Sequence, residues 1–152
     1  MTVIESIILG ITQGLTEFLP ISSSGHLVLM QHLLGIEISG NEFEILVHLG
    51  TLGSVLIVFF KDIELIISNY KSKKNQLYIF YLFIASLPAA FAGLFFKDYL
   101  KLFFDDHLIV SKALMFTGII LILSYFFKSS NKSLNIRSSV IIGFFQALAI
   151  IP

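Results

Sequence analysis

Apolar residues fall into five blocks along the chain, and the way each block is interrupted sets what it can form. Residues 43–60, 77–96 and 108–127 are nearly continuous apolar runs. Each is close to the roughly 20 residues that a helix needs to cross a bilayer. The pattern therefore predicts three spans, with Pro88 kinking the second. The first block, residues 2–36, is broken by Gly10, Gly14, Pro20, Ser22 to Ser24 and Gly25. It is too broken for one helix and too apolar for a loop. A last apolar run opens at Ser138 and continues to Pro152.

The charged residues between these blocks give an orientation. The segment after the first span carries Lys61, Lys71, Lys73 and Lys74, and the segment after the third carries Lys128, Lys132 and Arg137. Between them, residues 97–107 set two lysines against Asp98, Asp105 and Asp106. The two lysine-rich segments are separated by two spans, so both can lie on one side, which the positive-inside rule makes the cytoplasm. Block 2–36 then begins and ends on the outer side if it does not span. Two half-membrane helices, residues 3–18 and about 23–35, joined at Pro20 to Ser22, satisfy that requirement as a re-entrant hairpin sheltered by protein or water. One ordinary span followed by an interfacial helix fits hydropathy equally well.

An internal repeat favours the hairpin. Gly10, Gln13 and Leu15, followed by Pro20, are echoed by Gly143, Gln146 and Leu148, followed by Pro152. On the charge argument the two copies enter from opposite sides, the arrangement of inverted-topology repeats whose broken helices meet near the midplane. Residues 1–137 form the first repeat and 138–152 the start of a second, cut-off one. The expected fold is all-α: a polytopic membrane protein with re-entrant half-helices and inverted-topology repeats.

Composition agrees with a lipid solvent. Apolar residues make up 56% of the chain, charged residues 13%, and the mean hydropathy is +0.90, against about 25% charge in a soluble domain. Net charge is zero and no basic cluster is interleaved with aromatics, which argues against a nucleic-acid partner. The absence of cysteine excludes a disulfide framework and a thiolate zinc site. The N-terminus lacks the basic region and cleavage site of a signal peptide and reads as mature protein.

Polar residues that suggest chemistry concentrate between Gln13 and His26. Gln13 and Glu17 are four apart and share a helix face. A carboxylate at membrane depth costs roughly 2.5–3.5 kcal/mol on insertion scales and is rarely accidental. Pro20 ends the first half-helix, and Ser22 or Ser23 is a natural N-cap for the next. Free N–H groups and the helix dipole there make an anion site, and Gly25 lets a ligand approach the backbone. Capping and interhelical hydrogen bonding alone would explain these residues one by one. Together, Glu17, the serines and His26 supply a carboxylate able to hold a cation, a nucleophile and a base, the set that phosphoryl chemistry requires. The same inverted repeats also suit a transporter or lipid flippase, with Gln13 and Glu17 on a substrate pathway. His48 reads as a packed, hydrogen-bonded histidine rather than a ligand, His32 and His107 as interfacial, and Glu42, Glu44, Asp105 and Asp106 as solvated span ends.

The stretch from Gln13 through Glu17, Pro20 and Ser22-Ser23-Ser24-Gly25 to His26 closely resembles the first signature of the undecaprenyl-diphosphate phosphatase family of the bacitracin-resistance type. His48 to Leu52 and Leu87 to Ala90 are similar to that family too, and the likeness runs from Ile4 to Pro152. The resemblance implies an enzyme of the bacterial inner membrane that hydrolyses the isoprenyl diphosphate lipid carrier of cell-wall synthesis to its monophosphate. It implies a divalent cation, magnesium or calcium. By position, Glu17 is the essential carboxylate, Ser23 the nucleophile and His26 its catalytic partner. Ser22, Ser24 and Gly25 bind phosphate, and Gln13 assists Glu17 with the metal. The expected partners are the lipid substrate, the bilayer and, as a candidate, a second copy in a homodimer. The family's second signature, P-G-x-S-R-S, would begin at Pro152, and its arginine is not in the chain; Arg137, in a loop, does not replace it. Residues 1–152 by themselves are therefore expected to have little or no phosphatase activity.

Overall fold

The computed structural model describes residues 1–36, 42–127 and 133–151. Eight helices account for its regular structure: α1 (Val3–Thr16), α2 (Ser23–Leu33), α3 (Glu42–Val58), α4 (Phe60–Ser68), α5 (Lys73–Phe95), α6 (Lys97–Asp105), α7 (His107–Ser124) and α8 (Ile136–Leu148). There is no strand among the described residues. Lys128, Lys132 and Pro152, on which the orientation, the repeat and the second signature partly rest, lie outside them.

The three expected spans appear as α3, α5 and α7, each within a few residues of its apolar run. α5 and α7 are long and apolar enough to cross a membrane, and α3 with α4 counts as a third if the broken pair is one span. α1 and α2 are shorter. At 1.5 Å per residue they extend about 21 Å and 17 Å, against a hydrocarbon core of about 30 Å. Neither reaches across alone, as a hairpin of half-helices requires. The inter-span segments, read in the sequence only for their charge, each contain a short helix, α4 and α6. The expected kink at Pro88 does not interrupt α5, which continues as one helix from Lys73 to Phe95.

Among the described residues the buried apolar side chains are only Leu9, Leu27, Ala85 and Val110. Large hydrophobic residues such as Ile57, Leu94 and Phe126 are exposed. A water-soluble domain needs far more burial to offset its chain entropy. Lipid must cover these surfaces, and the chain is a membrane protein.

The chain divides into two compact units. The first, Met1–Ile57 with Phe103–Phe127, holds α1, α2, α7 and nearly all of α3. Here α2 packs on both α1 and α7. The His32 and His107 rings stack with centroids 3.9 Å apart, joining the end of α2 to the start of α7. The second unit holds α4, α5 and α8, and α5 against α8 is its main packing interface. Gly143 makes that interface possible: a Cβ there would lie 2.5 Å from the Ala85 carbonyl oxygen and 2.9 Å from the Pro88 ring.

Candidate active site

The site begins with two helix ends. α1 starts on a capping box, in which Thr2 and Glu5 satisfy each other's backbone N–H groups. Its buried face is formed by Leu9, Gln13 and Thr16, spaced as one side of a helix. The chain then leaves the helix at Glu17 and turns through Pro20, with Leu19 N–H donating to the Thr16 carbonyl and Ile21 N–H to the Leu19 carbonyl. Ser22 closes the turn at φ 61°, the left-handed region that a residue with a Cβ rarely adopts. Holding it there costs on the order of 1–3 kcal/mol, a kind of strain that concentrates at functional sites.

From that position Ser22, not Ser23, caps α2: its hydroxyl accepts from Gly25 N–H at 3.3 Å, and its carbonyl accepts from His26 N–H at 3.2 Å. The side chain of Ser23 is thereby free to act elsewhere. Its hydroxyl donates to Glu17 Oε2 at 2.5 Å, across the break between the half-helices. Gln13 Nε2 donates to the same oxygen at 2.9 Å. Gln13 itself is 1% exposed, and its Oε1 has no partner among the described residues.

His26 is held differently. Its Nδ1 lies 2.8 Å from the Ser22 carbonyl oxygen. A carbonyl can only accept, so Nδ1 carries the hydrogen and Nε2 is left to face a reactant. The N–H groups of Ser23 and Ser24, in the first turn of α2, have no helical acceptor. They and the positive helix end favour an anion.

Gly25 also has a packing role. A Cβ there would meet Leu114 Cδ2 at 3.0 Å and the Ser22 hydroxyl at 3.1 Å. A side chain at this position would therefore press on α7 and on the capping hydroxyl. Its N–H is already engaged by Ser22.

His48 is the neighbour whose place the sequence did not disclose. Its Nδ1 bonds the Glu44 carbonyl oxygen at 2.7 Å, the packed and hydrogen-bonded state expected of it, while its Nε2 lies 3.8 Å from Glu17 Oε2. The one available signal was a histidine inside the apolar helix α3, four residues from a second polar group, Glu44. Beside it is an open depression of about 350 Å³ lined by Glu44, Ile45, His48, Leu49 and Leu52.

The donor set fits a hard divalent cation in part. The Glu17 carboxylate and the orphaned Gln13 Oε1 are oxygen ligands of the right type. No group of three His, Cys, Asp or Glu side chains gathers around a metal position among the described residues. A cation here would need oxygens from substrate or water as well, as magnesium sites commonly do.

Known proteins similar to this chain point the same way. The chain is 40% identical to undecaprenyl-diphosphatase 1 of Bacillus licheniformis, an alignment covering 100% of the chain and 61% of the relative. It is 38% identical to undecaprenyl-diphosphatase 1 of Bacillus cereus, covering 99% of the chain and 60% of the relative. It is 39% identical to the undecaprenyl-diphosphatase of Bacteroides thetaiotaomicron, covering 100% and 60%. The chain thus spans about 60% of the length of these relatives. No solved structure matches. The family model described as bacitracin resistance protein BacA matches residues 6–152, nearly the whole chain, and the chain belongs to that family.

Proposed function

We propose that the protein hydrolyses undecaprenyl diphosphate to undecaprenyl phosphate in the bacterial inner membrane, which several of its helices cross, and so recycles the lipid carrier of cell-wall synthesis. The observation that carries this reading is the 2.5 Å hydrogen bond from the Ser23 hydroxyl to Glu17, at the N-terminal end of α2. A nucleophile, a base able to take its proton and a helix end suited to phosphate are joined there. The substrate is taken from the relatives, which are undecaprenyl-diphosphatases.

The chemistry follows from the geometry. Ser23 Oγ attacks the terminal phosphorus of the lipid diphosphate and its proton passes to Glu17 Oε2. The bond from that phosphorus to the bridging oxygen breaks, and undecaprenyl phosphate leaves. Undecaprenyl phosphate departs as its anion; His26 Nε2 then takes the proton of the water that cleaves the phosphoserine, and Glu17 returns its proton to Ser23 Oγ. The N–H groups of Ser23 and Ser24, with their hydroxyls and that of Ser22, stabilise the charge on the transferred phosphoryl group. A divalent cation, magnesium or calcium, held by Glu17 with help from Gln13, would neutralise the diphosphate.

The test uses residues 1–152 joined to the remaining two-fifths of the Bacillus licheniformis relative, purified in detergent and given undecaprenyl diphosphate. Phosphate release that disappears in Ser23→Ala and Glu17→Gln, with a phosphoserine trapped by rapid quench in the parent, is expected. Release unchanged by Ser23→Ala would sink the proposal. Lipid movement across vesicles that persists in Ser23→Ala without hydrolysis would favour a flippase instead.

A further inference from the structure

We infer that His48 is a ligand of the divalent cation at Glu17, and that its ring nitrogen makes the site bind cobalt and zinc more tightly than calcium. The inference rests on the cation reading above and adds to it a residue from a different helix and a metal preference.

Three observations point to it. First, His48 Nδ1 donates to the Glu44 carbonyl oxygen at 2.7 Å, which leaves the lone pair of the neutral ring on Nε2. Metal-binding histidines are held in this way, one nitrogen fixed by a backbone carbonyl or carboxylate and the other presented to the ion. Second, that lone pair faces Glu17 Oε2 at 3.8 Å, too far for a hydrogen bond. Bonds of about 2.0–2.2 Å from one ion to nitrogen and to carboxylate oxygen span such a gap with room for a bent angle. Third, Gln13, which donates through Nε2 to the same Glu17 oxygen, has a buried amide oxygen without a partner among the described residues. A half-turn of that amide would trade its bond to Glu17 for a third donor to the ion.

His48, Glu17 and Gln13 come from α3, the end of α1 and the interior of α1. Substrate oxygens and water would complete the shell. An imidazole in the shell sets the preference. Calcium takes six to eight oxygens, whereas imidazole suits zinc and the later first-row ions.

The experiment needs no turnover. The 152-residue chain in detergent is titrated with cobalt(II) and followed by its visible absorption, with zinc, magnesium or calcium as competitor. Zinc is expected to displace cobalt at equal concentration and calcium is not. His48→Ala should weaken cobalt binding by at least about tenfold. His48→Asp, which exchanges nitrogen for oxygen, should shift the absorption band and let calcium compete. His48→Gln serves where the alanine variant loses helical circular dichroism. Cobalt binding that is lost in Glu17→Ala but unchanged in His48→Ala and His48→Gln overturns the role of His48 and leaves the cation at Glu17 standing. Binding that survives Glu17→Ala as well overturns both.

Discussion

α1 and α8 are two readings of one short sequence pattern. Both open on a capping box, Thr2 with Glu5 in one and Asn135 with Ser138 in the other. In both the glycine is the eighth helical residue and the glutamine the eleventh, so the repeat seen in the sequence is in register with the helix starts. What each copy buries is opposite. In α1 the glutamine is buried and the space at Gly10 is empty. In α8 the glutamine is exposed and Gly143 is pressed against Ala85 and Pro88. One copy holds the Glu17 carboxylate by a hydrogen bond and the other holds a helix. The same residues at the same spacing do different work because their neighbours differ, which a sequence repeat cannot reveal.

The largest effect should come from breaking the chemistry of the first copy. Ser23→Ala is expected to lower phosphate release in the joined protein about a thousandfold or more while leaving its thermal unfolding unchanged. Next is the packing of the second. Gly143→Ala puts a methyl group 2.5 Å from a backbone oxygen, and should cost about 2–3 kcal/mol, read as a lowered melting temperature in detergent. Swapping the glutamines sharpens the contrast. Gln13→Leu removes a bond to Glu17 and should reduce hydrolysis about tenfold, whereas Gln146→Leu, on an exposed face, should leave it unaltered. The smallest effect is at Gly10. With nothing within 4 Å of its Cβ position, Gly10→Ala should stabilise α1 by about 0.5–1 kcal/mol, visible as a slightly raised melting temperature. A destabilising Gly10→Ala with a harmless Gly143→Ala would reverse the assignment of the two copies.

Much of the fold was legible because lipid demands long apolar runs with few charges. α3, α5 and α7 could be read for that reason, as could the break at Pro20. α4 and α6 were not, since each has nine residues with charges among its apolar positions, which hydropathy averages away. In the site, the residues from Gln13 to His26 could be read because they are contiguous. Which serine caps α2 was open until the left-handed turn at Ser22 settled it. The packing of Gly25 and the position of His48 beside Glu17 were not legible, for a common cause. Leu114 and Glu17, the partners that give them meaning, are distant in the chain, and hydropathy carries no record of such pairings.

The shortness of α1 and α2 has a further consequence. A helix that stops partway into a bilayer leaves its last carbonyls and first N–H groups at a depth where lipid offers them nothing. Unless protein covers every one of them, water must follow the chain inward to the turn at Pro20. The hydrolysis proposed above needs water, and a hairpin that stops short of crossing would deliver it.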